Sequence, residues 1–235
     1  MNRGKLFLIP SPLGEYDPAE VIPEGTLKVL RELKTFVVEE VRTARRYLSA
    51  AGLKGHIQEL EFYVLNEHTC ADEIRQLPAL FEKGDVGLIS EAGLPAVADP
   101  GAALVDLCHR EGIQVIPLAG PSSLMLALMA SGLNGQSFAF RGYLPAKPEE
   151  RKAAIRRLEK DSAALRQTQI IIETPYRNDT LLKDLAEQLN PHTRICAAAA
   201  LTTPEAFIRC QSAQQWRKDP VLIGKIPCVF LILAQ

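Results

Sequence analysis

The segment Ser90–Gly101, SEAGLPAVADPG, directly follows the strand-like run DVGLI at 85–89. Small residues and prolines leave the backbone of such a segment open, so that a ligand can lie against it. In an α/β domain, ligands bind in the crevice beyond the carboxyl ends of the strands. The segment is therefore a candidate binding loop. An ordinary connection between a strand and a helix is the alternative, because Gly and Pro mark turns in any protein.

Apolar runs of strand length alternate with helical patterns in the first half of the chain. The patterns predict strands over 6–10, 35–39, 61–65, 86–90 and 114–117, and helices over 25–34, 42–51, 71–83 and 102–110. Most of these strands are too continuously apolar to have a solvated face, which is typical of buried parallel strands. The βαβ repeat predicts a doubly wound, mainly parallel sheet.

The pattern changes at the small-residue turn 118–123, where we place a domain boundary. The expected domains are an N-terminal α/β domain over 1–118 and a C-terminal α/β domain over 119–235. The second half predicts helices over 124–130, 149–165 and 178–189, and strands over 137–141, 169–173, 194–200, 206–210 and 227–233. Several of these strands follow one another without a helix, which predicts a mixed sheet. The expected architecture is two α/β domains with a cleft between them.

Composition limits the class of protein. The 235 residues are 47% hydrophobic and 23% charged, which suffices for one large core or two ordinary ones. No apolar run approaches the roughly 20 residues that span a bilayer, so we expect neither export nor a membrane anchor, and a cytoplasmic location. The 5 cysteines are odd in number and widely spaced, which indicates reduced thiols rather than a disulfide framework or a metal clip.

Charge is nearly balanced, and the net charge of -1 argues against a surface that binds nucleic acid everywhere. The densest basic stretch is 141–157, where the cations face only Glu149 and Glu150. These cations are Arg141, Lys147, Arg151, Lys152, Arg156 and Arg157. They form either an ordinary solvated helix face or a contact surface for RNA.

Common catalytic motifs are absent from the sequence. It contains no GxGxxG, no Walker loop and no HExxH, so dinucleotide, ATP and zinc-protease functions lose their main support. Glu67 and His68 lie at the expected end of a strand, where they are either a general base with its neighbour or a structural pair. The arginines at 42–46 follow two glutamates at a helix start, which suits either anion recognition or local ion pairing.

Several longer motifs occur together in a fixed order. They are Leu6–Gly14 (LFLIPSPLG), Glu39 with Arg42, Arg45 and Arg46, Ile89–Gly101, Gly120–Ser123, Ala130–Leu133 and Gly142–Lys147 (GYLPAK). In this order and spacing the chain resembles the tetrapyrrole methylase superfamily of S-adenosylmethionine (AdoMet)-dependent methyltransferases. Within the superfamily it is most similar to the branch of 16S rRNA cytidine 2'-O-ribose methyltransferases, and the resemblance covers nearly the whole chain.

The resemblance implies a homodimer of two-domain subunits, with AdoMet in the interdomain cleft and the acceptor side in the N-terminal domain. We expect no metal site. The resemblance assigns the cofactor to Pro12, Leu13, Glu91, Gly93, Leu94, Ser122, Ser123, Thr174 and Ala200. A ribose hydroxyl as acceptor also needs a base or a polarising cation, for which the candidates are His68, Glu67, Glu40 and Arg42. Because the stretch after residue 141 matches the branch that acts on RNA, ribosomal RNA or the small ribosomal subunit is the expected partner.

The chain departs from the rRNA branch mainly at the motifs of the expected acceptor side. Gly-Asn-Leu becomes Gly14-Glu15-Tyr16, Glu-Asp-Thr-Arg becomes Glu39–Arg42, His-Glu-His-Asn becomes Asn66–Thr69, Glu-Ser-Pro-His-Arg becomes Glu173–Arg177, and a later Arg-Glu pair becomes Ala199-Ala200. We therefore expect the cofactor site to be kept and the acceptor to be less certain. Three functions stay open: an rRNA ribose methyltransferase, a methyltransferase for a small molecule such as a tetrapyrrole, and a non-catalytic protein that binds AdoMet or RNA.

Overall fold

The computed structural model describes residues 3–234. The chain divides after Ser122 into two compact units, and the division falls within the small-residue turn 118–123. No helix in the described range combines the length and the apolar character that a membrane crossing needs. The assignment of the acceptor side and the cofactor site to particular domains stays a prediction.

The first unit is a parallel sheet of five strands between two layers of helices. Its strands are β1 (Leu6–Ile9), β2 (Thr35–Val38), β3 (Glu61–Val64), β4 (Val86–Ile89) and β5 (Val115–Pro117), in the order β3-β2-β4-β1-β5. Its helices are α1 (Glu24–Glu32), α2 (Val41–Leu48), α3 (Ala71–Gln76) and α4 (Gly101–Arg110). Adjacent residues of β2 point to opposite layers, since Phe36 packs in the core with Leu30 and Val37 packs in the core with Leu104.

The central strand β4 has all of its residues buried, between β1 on one side and β2 on the other. A Cβ added at Gly87 would lie 2.7 Å from Ile9 Cδ1 and 2.9 Å from Phe36 Cδ1. Glycine is therefore required where the neighbouring side chains cross β4. The central place of β4 brings the loop that follows it between the carboxyl ends of two other strands.

The second unit is built on a mixed sheet. Its strands are β6 (Phe138–Tyr143), β7 (Thr168–Ile172), β8 (Arg194–Ala199), β9 (Phe207–Ser212) and β10 (Cys228–Leu233), in the order β6-β7-β10-β8-β9. Its helices are α5 (Ser123–Ser131), α6 (Pro148–Leu165), α7 (Asn178–Gln188) and α8 (Ala213–Lys218). β6 and β7 are parallel, and the other neighbours are antiparallel. The parallel first sheet and the mixed second sheet confirm the fold class that the sequence predicts.

Two local features differ from the sequence prediction. The helix expected over 71–83 ends at Gln76 and continues as the 3-10 turn Leu77–Glu82, because Pro78 has no N–H for the α-helical ladder. α8 was not predicted, although Ser212 and Gln215 form a capping box at its start. The helix is so short that its hydrophobic pattern carries little information.

Arg151 corrects our interpretation of the basic stretch. It lies on the buried face of α6 together with Ile155 and Leu158, and only 5% of its surface is exposed. Its Nε donates to Asp184 Oδ2 at 2.7 Å, and its Nη1 donates to the Ala146 carbonyl at 2.8 Å. Arg151 therefore forms a core ion pair between α6 and α7, and the prediction that it contacts RNA is wrong.

We expect Arg151→Ala to lower the free energy of unfolding by about 3–5 kcal/mol, because it leaves the buried Asp184 carboxylate without its cation. Urea denaturation measures the change. Arg157→Ala removes an exposed arginine from the same helix and, as the control, should change the stability by less than about 0.5 kcal/mol. The double variant Arg151→Met, Asp184→Leu should recover most of the loss, since neither charge stays buried. A stability of Arg151→Ala equal to wild type would contradict the ion pair.

Candidate active site

The candidate site lies at the carboxyl edge of the parallel sheet in the first unit. β1, β4, β2 and β3 are parallel neighbours, so the loops that follow them leave the sheet at one edge. These loops are 10–16 after β1, 39–40 after β2, 65–70 after β3 and 90–100 after β4. Ligands of parallel α/β sheets bind at this edge.

Backbone hydrogen bonds join the loops after β1 and β4. The Ser11 N–H donates to the Gly93 carbonyl at 2.8 Å, and the Gly93 N–H donates to the Ser11 carbonyl at 3.1 Å. The Ser11 hydroxyl donates to the Ser90 carbonyl at 2.8 Å. Gly93 has φ 74°, and an added Cβ would lie 3.3 Å from Leu13 Cδ2. Gly93 is thus required for this approach of the two loops, and the next residue, Leu94, is half-buried.

The second half of the loop after β4 contains strained backbone. Ala96 and Ala98 have φ values of 64° and 61°, in the left-handed region that costs a non-glycine residue about 1–2 kcal/mol. The Asp99 carboxylate offsets this cost, since it accepts hydrogen bonds from the Ala96 N–H at 2.9 Å and the Gly101 N–H at 2.7 Å. Strain of this kind concentrates at functional sites, which supports a binding loop over a plain connection.

Glu40 forms the N-cap of α2. Its Oε1 accepts a hydrogen bond from the Arg42 N–H at 2.9 Å, and its Oε2 accepts hydrogen bonds from the Thr43 N–H at 2.6 Å and hydroxyl at 3.1 Å. The backbone hydrogen bonds hold the pKa of Glu40 below its ordinary value. Both of its oxygens are engaged at the helix start, and its role as a catalytic base stays a prediction.

Two further carboxylates, those of Glu39 and Glu91, lie close to the N-cap of α2. Glu39 Oε1 accepts a hydrogen bond from the Glu91 backbone N–H at 3.1 Å. Partial burial raises the pKa of Glu39, and the nearby charges of Asp99 and Glu91 add to the rise, while the backbone hydrogen bond opposes it. Partial burial likewise raises the pKa of Glu91, and the nearby charge of Glu40 adds to the rise. The adjacent residues Glu39 and Glu40 therefore have opposite pKa shifts.

A cavity of about 490 Å³ is bounded by the loop after β1, by α2 and by the start of the loop after β4. Pro12, Leu13 and Glu91, three of the residues expected to bind the cofactor, line it. Tyr47 also lines it; its hydroxyl donates to the Pro10 carbonyl at 2.8 Å, and burial raises its pKa. The sequence did not single out Tyr47, because a tyrosine on the apolar face of a helix has the pattern of a core residue. The cavity has the size of ordinary small-molecule sites.

His68 lines a separate cavity of about 500 Å³ along β3, at the edge of the sheet. Its Nε2 lies 3.6 Å from Glu67 Oε1, and the two side chains are 84% and 85% exposed. Arg42, at the start of α2, is exposed as well. The structure therefore places the candidate bases on the same sheet edge as Glu91, but it puts His68 and Glu91 in different cavities.

In the second unit, Thr174 and Ala200 lie at one edge of the mixed sheet. β7 and β8 are both antiparallel to β10, so they run in the same direction and their carboxyl ends lie at one edge. Thr174 follows β7, and Ala200 follows β8 with φ 48° and its N–H bonded to the Pro227 carbonyl at 2.9 Å. Ser122 ends the first unit and Ser123 begins α5. The cofactor contacts of all these residues stay predictions.

The fold is that of an α/β protein with candidate binding loops at its strand ends, and a family comparison agrees with this class. The model of the Tetrapyrrole (Corrin/Porphyrin) Methylases matches residues 19–214. The chain belongs to the tetrapyrrole methylase family and is a methyltransferase by family. This confirms the superfamily resemblance found in the sequence.

Similar proteins share the name "Ribosomal RNA small subunit methyltransferase I". The protein of Halalkalibacterium halodurans is 30% identical over 227 residues, which are 95% of this chain and 74% of that protein. The protein of Escherichia coli O157:H7 is 30% identical over 86% of this chain and 66% of its own length, and that of Thermotoga maritima is 31% identical over 88% and 87%. The chain thus spans 66% to 87% of the length of these relatives.

Solved structures share the fold at low sequence identity. The methyltransferase CobJ has a TM-score of 0.66 and 16% identity, over 98% of this chain and 94% of that one. Uroporphyrin-III C-methyl transferase from Thermus thermophilus, complexed with S-adenyl homocysteine, has a TM-score of 0.57 and 18% identity, over 98% and 97%. These matches confirm the fold class.

We expect Glu39→Gln to stabilise the protein at about pH 8 and to leave it unchanged at about pH 3.5. The folded pKa of Glu39 is raised above its ordinary 4.5, so its contribution to stability is present below that value and is lost as the pH rises through the folded pKa. Glutamine removes the partly buried charge and keeps an oxygen that accepts the Glu91 N–H. Urea midpoints at the two pH values measure the effect.

Glu40→Gln is the matched control, and its effect has the opposite sign. The folded pKa of Glu40 lies below 4.5, so its contribution is present above that value and is lost as the pH falls through the folded pKa. The variant should be less stable than wild type at about pH 8 and approach it at about pH 3.5. Shifts in the same direction for both variants at the higher pH would contradict this assignment.

Proposed function

We propose that this protein is an AdoMet-dependent methyltransferase that modifies a ribose 2'-hydroxyl of small-subunit ribosomal RNA, as a cytoplasmic homodimer. The similarity to proteins named as small-subunit rRNA methyltransferases, at about 30% identity over 84–95% of this chain, carries the proposal. The assignment of a ribose hydroxyl as the acceptor rests on the resemblance of the sequence motifs to the branch of ribose methyltransferases. The geometry of the loops at the carboxyl edge supports it.

The residues of the first unit fit a cationic, nucleoside-like cofactor. Gly93 has no side chain, so the loops after β1 and β4 can approach each other there, next to Leu13. Glu91 lines the adjacent cavity and supplies a carboxylate for charge-assisted hydrogen bonds to amino or hydroxyl groups. Pro12, Leu13 and Leu94 supply apolar contacts. In the second unit, the proposed contacts are Ser123, Thr174 and Ala200, and Ser122 completes the set.

AdoMet supplies a methyl group that its sulfonium charge already activates. The protein therefore has mainly to align the acceptor oxygen in line with the methyl–sulfur bond, and such positioning lowers a barrier by about 7–11 kcal/mol at best. A ribose hydroxyl also has to lose its proton as the new bond forms. We assign that proton to His68, because Glu40 is engaged as a helix cap, whereas the exposed imidazole of His68 has a ring nitrogen that can act as the base.

Exposed cations on α6 supply contacts for the RNA backbone. Four cations of the 141–157 stretch are paired with carboxylates, namely Arg141, Lys147, Arg151 and Lys152. Arg156 and Arg157 are exposed and have no carboxylate partner within residues 3–234. We assign phosphate contacts to these two arginines. The stretch is thus a mixed solvated face with a small basic patch.

A small-molecule acceptor is the second candidate function, and one observation favours it. The cavity of about 490 Å³ beside Glu91 has apolar walls that include Leu13, Ala44, Tyr47 and Ile89. Such a cavity suits a flat apolar ligand as well as a nucleoside. A tetrapyrrole acceptor and a protein that binds AdoMet without transfer are therefore outcomes of the test below.

Incubation with methyl-labelled AdoMet and small ribosomal subunits that lack the modification should place the label in 16S rRNA. A methyl group on the 2'-oxygen blocks alkaline cleavage at that nucleotide, so hydrolysis followed by mass spectrometry identifies the acceptor atom. A parallel reaction with a precorrin is the control for the second candidate. Label in the precorrin alone would exclude the rRNA function, calorimetric AdoMet binding without any transfer would indicate a non-catalytic protein, and absence of binding would contradict the whole proposal.

We expect His68→Ala to lower kcat for methyl transfer by roughly 100-fold or more at saturating subunits, because the variant lacks the base. The KM for the subunits should stay near wild type. His56→Ala is the control, since His56 is an exposed imidazole of the same unit that is bonded to Glu59 at 2.9 Å. Unchanged transfer by His68→Ala would remove His68 from this role and leave Glu67 and Arg42 as candidates.

A further inference from the structure

Among the described residues, Tyr176 is more exposed than any other tyrosine, phenylalanine or tryptophan. Its exposed fraction is 79%, against 58% for Tyr143 and 40% for Phe138. It follows Thr174, a proposed cofactor contact, by two positions in the loop after β7. A large apolar ring at such a place, free of core contacts, suits recognition of a partner more than packing.

The backbone that carries Tyr176 is held on both sides. Tyr176 lies in the 3-10 turn Pro175–Arg177, and the Arg177 N–H donates to the Thr174 carbonyl at 2.9 Å. The Arg177 guanidinium donates twice to Glu173 Oε1, at 2.6 Å and 3.0 Å, and the Glu173 side chain is fully buried. The ring therefore projects from a pre-organised turn, and a ligand that stacks on it does not have to order the loop first.

Lys225 lies over one face of the ring, with its Nζ 5.4 Å from the Tyr176 ring centroid, so a ligand would stack on the opposite face. The Lys225 backbone is tied to the residues that follow Arg177. The Asn178 side chain donates to the carbonyls of Gly224 at 3.1 Å and Ile226 at 2.7 Å, one on each side of Lys225. The two segments thus form one cross-linked surface that presents a ring and an ammonium group together.

We propose that Tyr176 and Lys225 form a binding platform for an unpaired nucleotide of RNA, with the base stacked on the ring and its phosphate at the ammonium group. Aromatic rings flanked by cations are the usual means of binding single-stranded nucleic acid, because every base has a π-face and every nucleotide a phosphate. Bases within a duplex are already stacked on one another, so the platform selects unpaired nucleotides. The inference rests on the proposed rRNA methyltransferase function and names a contact by which the acceptor region is recognised.

The open position of the platform favours RNA over a small molecule. A tetrapyrrole also stacks on aromatic rings, but small-molecule sites enclose most of their ligand. Tyr176 is 79% exposed and stands on a surface rather than in one of the cavities described above. A polymer that extends beyond the platform gains from such a surface, because its other nucleotides reach other contacts.

The test uses the full chain and a short single-stranded RNA with 2-aminopurine at one position, whose fluorescence falls when the base stacks. Tyr176→Ala should weaken binding roughly 5- to 100-fold and abolish the quenching, whereas Tyr176→Phe, which keeps the ring, should match wild type. Leu222→Ala is the matched control, since Leu222 is 83% exposed and lies in the same segment as Lys225. Lys225→Gln should reduce the slope of log affinity against log salt by about 0.7, and Lys183→Gln on α7 should leave it unchanged.

With small ribosomal subunits as substrate, Tyr176→Ala should raise KM and leave kcat near wild type, and calorimetric binding of S-adenosylhomocysteine should not change. Wild-type affinity and quenching in Tyr176→Ala, an equal loss in Tyr176→Phe, or an equal loss in Leu222→Ala would each overturn the platform. These results are distinct from failure of the proposed function, in which wild type itself transfers no methyl group to the subunits. If Tyr176→Ala weakened the binding of a precorrin and left the binding of RNA unchanged, the platform would be overturned in favour of a small acceptor.

Discussion

The two backbone hydrogen bonds between Ser11 and Gly93 fix the site in the first unit. β1 and β4 are parallel, with Ile9 opposite Ile89, yet the bridge just beyond them is antiparallel. One loop must therefore turn back on itself within a few residues, and the left-handed φ of Gly93 makes that turn. The turn is what puts Leu13 and Glu91 on the walls of one cavity. A side chain at position 93 would both strain the turn and push Leu13 away.

Partly buried carboxylates beside this turn give the site its charge. Glu39, Glu91 and Asp99 all have raised pKa values because burial disfavours their ionised forms, so keeping them charged at neutral pH costs stability. A bound cation reverses that cost, since it interacts favourably with the same charges. A site of this kind is less stable when empty and gains more from a positively charged ligand, which is the usual compromise between stability and binding. Glu40 differs because it is exposed and its charge caps a helix.

The sequence predicted the strands well and the side-chain roles unevenly, for physical reasons. Continuous apolar runs mark strands that are buried on both faces, and β4 is such a strand. Arg151 was assigned to the surface because its neighbours are charged, although its spacing from Ile155 and Leu158 places it on the buried face of α6. The wall position of Tyr47 depends on distances between elements that no local pattern contains. The capping role of Glu40 is local, but glutamate is not among the residues that typically cap a helix start. The superfamily was predictable because its motifs are long and in register.

Packing explains where the chain matches the motifs of the tetrapyrrole methylase superfamily and where it departs from the rRNA branch. A Cβ at Gly120 would lie 2.3 Å from Pro10 Cβ, and one at Gly101 would lie 2.8 Å from Asp99 Oδ1, so the small residues of the binding loops are fixed by contacts within the fold. The departures include exposed positions, where replacement does not disturb the packed core: Glu15 has a 91% exposed side chain and Tyr176 is 79% exposed. In a methyltransferase built in this way, the stability of the fold constrains the backbone of the binding loops. Exposed side chains are constrained mainly by the acceptor. Acceptor specificity is therefore to be sought on exposed side chains such as Tyr176, and cofactor binding in the backbone of the loops.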